Sequence, residues 1–127
     1  MAIPRSYAVP FQPEAIEVLR QATRANPRDA RAHYYLGNVL YDSQPAEAIR
    51  QWEGSAALVP GFAICHRNLA VACMHLPFGS DLAKAIGSLE RAVAAKPAYP
   101  LHFAELDELY ELAGTPHWKR LPPFEKN

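Results

Sequence analysis

Cysteine is scarce in this sequence, neither sign of charge is in excess, and no apolar run is long; each shortage removes a class of function. Cys65 and Cys73 are its only two cysteines. Placed on one helix, with about 1.5 Å of rise per residue, they stand two turns apart, beyond the reach of a disulfide. They read as buried, reduced thiols of a cytoplasmic protein. Thirteen Lys and Arg are balanced by thirteen Asp and Glu, scattered among one another, so there is no general pull toward nucleic acid or an acidic membrane. No stretch approaches the roughly 18 apolar residues of a membrane span. The opening MAIPRSYAVPFQP contains prolines and lacks the apolar core of a signal peptide. Strand-like alternation is absent, as are a Gly-rich phosphate loop, HExxH and CxxC.

What is present is helix, and it is periodic. Half of the 127 residues are apolar, enough for the core of one compact domain. Pro27, Pro60 and Pro97 each close an Ala-rich amphipathic run, and Ala15, Ala48 and Ala85 each stand 12 residues before their proline. Ten residues after each proline come Gly37, Ala70 and Asp107, each directly preceded by leucine (Leu36, Leu69 and Leu106). All three marker sets share spacings of 33 and 37, which is the mark of an internal repeat. Only the connections from Gly37 to Ala48 and from Ala70 to Ala85 differ in length. The extra residues therefore belong to an exposed turn, His75 to Ser80.

Six helices follow from this frame. They are expected over Glu14–Ala25, Asp29–Tyr41, Pro45–Leu58, Phe62–Met74, from Ser80 or Asp81 to Ala95, and from Pro100 to a stop at Gly114. Asp29 is placed to cap the second, and Pro45 and Pro100 are pre-set for first helical turns. Small residues at Gly37, Ala48, Ala70 and Ala85 let paired helices approach, while each proline punctuates a change of direction.

His33, Leu36, Gly37, Leu40, Ala48, Trp52 and Pro60 resemble the tetratricopeptide repeat, and His66, Leu69, Ala70, Cys73, Ala85, Leu89 and Pro97 repeat the pattern. Half repeats stand at Ala15, Leu19, Ala22 and Pro27 and at Phe103, Leu106, Asp107 and Tyr110. The departures are His where the family has Trp, and Ala70 and Asp107 where Gly is usual. Asp107 would crowd a following second helix. The resemblance implies an all-α, right-handed tetratricopeptide-type solenoid of about six antiparallel helices over 14–113. An extended segment at 1–13 would precede it and a Pro-rich tail at 114–127 would follow. Tyr35, Asn38, Tyr41, Trp52, His66, Arg67 and Asn68 together also resemble the repeat portion of large bacterial proteins that carry a β-rich domain of unknown function.

The same resemblance implies a concave groove lined by the first helix of each pair. Its candidate partner-binding residues are Arg31, Tyr34, Asn38 and Tyr41, then Ile64, Arg67, Asn68 and Val71, then Leu101 and Glu105. Some family members grip a peptide's terminal carboxylate with two asparagines and several basic residues. Asn38 and Asn68 fall on the asparagine sites, but Tyr34, Leu101 and Glu105 occupy the basic ones. Arg31 and Arg67 could supply charge from neighbouring positions. Asparagine at these sites also serves as a structural hydrogen-bonder, and both readings stand.

Little points to chemistry. His66 and Cys73 share a helix face, but both stand at packing positions; His75, His102 and His117 do not converge. Glu105, Glu108 and Glu111 recur along the last helix with Asp107 between them, a row that reads as solvated rather than as an acid–base pair. The expectation is a non-catalytic, cytoplasmic protein-interaction scaffold with no cofactor and no metal, binding a protein or peptide rather than nucleic acid or membrane. The alternative is a self-associating module, or a fragment of a larger repeat protein, that assembles through open helix ends. Apolar residues at both termini (Ile3, Tyr7, Val9 and Phe11; Trp118, Leu121 and Phe124) fit either tails that fold back as covers or contact with other copies.

Overall fold

A computed structural model describes residues 13–75, 81–95 and 99–121. Every regular element among them is helical: α1 Pro13–Ala25, α2 Ala30–Leu40, α3 Pro45–Leu58, α4 Ala63–Met74, α5 Leu82–Ala94 and α6 Pro100–Ala113, followed by a 3-10 turn at His117–Lys119. These bounds lie within two residues of the sequence reading. Most of the expected N-terminal segment, the variable turn after His75 and the end of the tail fall outside the described residues.

The caps explain the bounds. Asp29 accepts the Ala32 N–H at 3.1 Å, and Asp81, not Ser80, accepts the Lys84 N–H at 3.1 Å, each satisfying a donor that the first helical turn leaves open. Pro45 and Pro100 sit at first positions, where a missing N–H is harmless. Gly114 ends α6 with φ 69°; its N–H reaches Glu111 O, and Thr115 N–H reaches Tyr110 O at 2.9 Å. That left-handed turn suits glycine and sends the chain back toward the helix it has left.

The chain divides into two compact units at Val59/Pro60, where one domain was expected from length. The boundary falls on a repeat proline.

In the first unit α2 packs on both α1 and α3. Its core is Leu36, Val39, Leu40 and Ala48, flanked by Ile16, Leu19 and Tyr41. Contacts run in opposite directions along α2 and α3, so the pair is antiparallel: Ser55 Oγ donates to Ala30 O at 2.8 Å, and Trp52 Nε1 donates to Tyr34 O and Asn38 Oδ1, each at 3.1 Å. Gly37 faces the Trp52 ring so closely that a β-carbon there would stand 2.4 Å from Nε1. The tryptophan, 4% exposed, takes the space that the glycine leaves.

In the second unit α5 packs on both α4 and α6 around Ala70, Cys73, Ala85, Leu89, Ala92, Val93, Leu106 and Tyr110. Here the repeat places Ala70 opposite Leu89 where the first unit has Gly37 opposite Trp52. A methyl group added on one helix is met by a smaller side chain on the other, which leaves room for both. Cys65 and Cys73 are both buried and unbridged.

The two histidines at the family's Trp position have one task in both units. His33 Nε2 stands 2.8 Å from Pro27 O, and His66 Nε2 stands 2.7 Å from Pro60 O, each a repeat proline six residues earlier. A carbonyl only accepts, so each Nε2 carries the proton and ties the incoming turn to the first helix. Gln51 lies beside the His33 ring, and its Nε2 donates to Glu47 at 2.8 Å. With the neighbouring Arg50, that bond holds the Glu47 carboxyl below its ordinary value.

Candidate functional site

The candidate residues of the first unit gather around Trp52. Asn38 is exposed, yet its Oδ1 accepts from the indole. Tyr41 lies with its ring centroid 5.4 Å from that of Trp52, and Tyr34 pairs with Tyr35 at 5.3 Å. Arg31 is exposed one turn earlier. Asn38 thus has a structural bond to the indole, while part of its surface still faces solvent.

In the second unit Arg67, Val71 and Glu105 meet in one cleft of about 240 Å³ between α4, α5 and α6. Ala70, Val71, Met74, Leu89 and Leu109 give it an apolar lining, and Arg67, His75, Glu105 and Glu108 stand around them. Ile64 and Leu101, 40% and 62% exposed, lie outside that lining, as does the half-buried Asn68.

The charge in this cleft is already partly used. Arg67 Nη2 donates to Glu105 Oε2 at 2.7 Å, and Arg67 Nε stands 3.2 Å from both carboxylate oxygens. This forked pair joins α4 to α6 and raises the Arg67 pKa, the hydrogen bond outweighing the opposing effect of burial. His102, buried beneath, has its pKa lowered first by desolvation, with Glu105 opposing and Arg67 adding to the effect. Its Nδ1 has no partner among the described residues.

The acidic row of α6 is therefore more than a solvated stripe. Arg120, its side chain only 10% exposed, pairs with Asp107 and Glu111 at 3.1 Å each and donates to Thr115 O. Glu108 is left as the row's unpaired carboxylate among the described residues. The phenol of Tyr110 donates to Glu90 at 2.7 Å and accepts the Leu121 N–H at 3.1 Å. Burial, reinforced by Glu90, pushes its pKa up to about 12. Residues 114–121 thus fold back onto α6, while Trp118 stays 79% exposed.

His66 and Cys73 both stand in packing positions. His66 Nε2 is bound to Pro60 O, and Cys73 lies in the apolar core. No cluster of three His, Cys, Asp or Glu side chains able to hold a metal occurs among the described residues. No helix among them is long and apolar enough to cross a membrane.

Sequence reasoning did not place Ala70, Met74, His75, Leu89, Glu108 or Leu109 in the groove. Three carried a signal: Met74 is one turn beyond Val71, and Glu108 and Leu109 one turn beyond Glu105, so extending the helical period would have reached them. Leu89 belongs to a second helix, outside the first-helix face read as the groove.

Two family models match, one described as TPR repeat over residues 12–44 and one as tetratricopeptide repeat over residues 40–100. Two crystal structures of MamA share the fold. One is 23% identical with a TM-score of 0.66, covering 78% of this chain and 57% of the MamA chain. The other is 24% identical with a TM-score of 0.69, covering 80% and 54%. This chain thus spans little more than half of either. No curated protein gives a significant sequence match.

Proposed function

We propose that this chain, whose helices are tetratricopeptide repeats, is a non-catalytic scaffold that binds a peptide or partner protein through the first helices of its repeats. The observation that carries the reading is the cleft of the second unit, apolar within and polar around, as ligand-binding concavities are. Arg67 and Glu105 are engaged with each other in a structural pair, which supports recognition over catalysis. In the first unit Arg31, Tyr34, Asn38 and Tyr41 would add contacts, the aromatic rings offering rigid amphipathic surface. A cytoplasmic location fits two buried cysteines that form no disulfide with each other.

Arg67 and Asn38 hold structural bonds, so replacing them would confound binding with stability. Affinity capture with the intact chain and with an Arg31→Glu, Val71→Gln variant of unchanged helicity separates the two. A partner kept by the first and lost by the second supports the reading. Equal retention by both would exclude these faces.

A second reading, self-association, draws on Leu112 and Trp118, 68% and 79% exposed on the last helix and the tail. Light scattering over a concentration series tests it; a constant monomer mass would end it.

A further inference from the structure

We infer that the second-unit cleft selects a peptide carrying an aliphatic side chain flanked by lysine or arginine, an inference that rests on the interaction reading above. Each part of the ligand answers to a feature of the cleft. The apolar lining of Val71, Met74, Leu89 and Leu109 surrounds about 240 Å³, roughly eight water volumes, which suits one or two side chains. Arg67 is the cleft's own guanidinium, and Glu105 neutralises it through the forked pair. What remains is the carboxylate of Glu108, exposed at the edge with no ion-pair partner among the described residues. The neighbouring acids Asp107 and Glu111 pair with Arg120 and lie outside the cleft's lining.

Arg67, Glu105 and Glu108 together leave one negative charge in excess at the cleft. A ligand carboxylate entering there would meet Glu108 and an Arg67 whose charge Glu105 already offsets. A lysine or arginine beside the aliphatic anchor meets Glu108 directly, and such complementarity at a rim governs specificity more than raw affinity. The preference is thus opposite in sign to the carboxylate clamp weighed for Asn38 and Asn68.

Selection of randomised, phage-displayed hexapeptides on the full chain tests this, run in parallel on Glu108→Lys, an exposed substitution on a helix that lysine favours. The expected result is enrichment of Leu, Ile or Met with Lys or Arg within two residues, and a shift to Asp or Glu neighbours on Glu108→Lys. A synthetic peptide of the selected sequence should bind Glu108→Gln roughly fivefold more weakly than the unaltered chain. Acidic neighbours selected by the unaltered chain would overturn the inference, as would basic neighbours that persist on Glu108→Lys. Peptides with neutral neighbours whose binding is lost on Val71→Gln would refute the charge preference and leave the interaction reading standing. Failure to select any peptide, together with failed affinity capture, would remove both.

Discussion

Alanine at Gly37 should destabilise the protein, although glycine is the poorer helix former. Replacing it inside α2 gains about 1 kcal/mol of helix propensity. The new β-carbon, however, would stand 2.4 Å from Trp52 Nε1 and 2.5 Å from Cδ1, against an ordinary contact of 3.4 Å or more. The ring is buried and held by two hydrogen bonds, so it cannot swing into solvent. Moving it by about 1 Å costs roughly 1–3 kcal/mol in overpacking and weakens indole bonds worth about 1 kcal/mol each. A net loss of about 2–3 kcal/mol follows, a fall in Tm on the order of 10 °C for a domain of this size. Gly54→Ala is the control: nothing lies within 4 Å of a β-carbon there, so it should gain up to about 1 kcal/mol. The second unit supplies the rescue, since Ala70 already packs opposite Leu89. Gly37→Ala combined with Trp52→Leu should lose less than the sum of the single changes, by about 2 kcal/mol. Urea unfolding followed by circular dichroism measures all four variants. The packing argument fails if Gly37→Ala and Gly54→Ala shift stability in the same direction, or if the double variant is simply additive.

Three further outcomes follow from the second unit. Tyr110→Phe removes the bonds to Glu90 and Leu121 and should cost about 1–3 kcal/mol at pH 7. Because the folded pKa lies above the ordinary 10.0, the phenol's contribution is complete below pH 10 and lost as pH rises toward about 12. The wild type should therefore lose more stability than Tyr110→Phe across that window in denaturant titrations; parallel curves would refute the assignment. His102 is shifted the other way, so the unfolded chain binds the proton more readily and stability falls as pH drops below 6.5. His102→Phe should flatten that part of the stability curve, and an unchanged acid slope would show that another group is responsible. A double-mutant cycle on Arg67→Met and Glu105→Gln should give a coupling of about 1 kcal/mol, modest because the side chains are 35% and 23% exposed; zero coupling would make the pair incidental.

Gly37, Trp52, the repeat prolines and the caps could be read from the sequence because each does its work within one helix pair, where spacing alone fixes the partner. Arg67 and Glu105 stand 38 residues apart, and their pairing depends on how α4 and α6 align across α5, which no periodicity encodes. For the same reason the groove residues were legible as positions on first helices, while the filling of the cleft by Leu89 was not. The histidines lay between these cases. Their place at the family's Trp position was visible, but the bond that explains them runs back to a proline carbonyl, an atom every residue has and no side chain advertises. The division at Val59/Pro60 was hidden too, because the repeat markers continue through it unchanged.

Asp107 shows how a departure from pattern can be informative before its meaning is known. The repeat asks for a small residue there so that a second helix can approach, and a carboxylate signals that closure must take another form. That form is the tail. Gly114 turns the chain back, and the Arg120 guanidinium, nearly buried, sits between Asp107 and Glu111 and 5.5 Å from the Tyr110 ring centre. A charged group out of water requires compensating charge, and two carboxylates on adjacent turns of one helix face provide it. The aspartate is thus half of an ion-pair site whose other half comes from the tail. The α6 face that bears it is already engaged within the chain, whereas Glu108, one residue on, is left to meet a cation from outside.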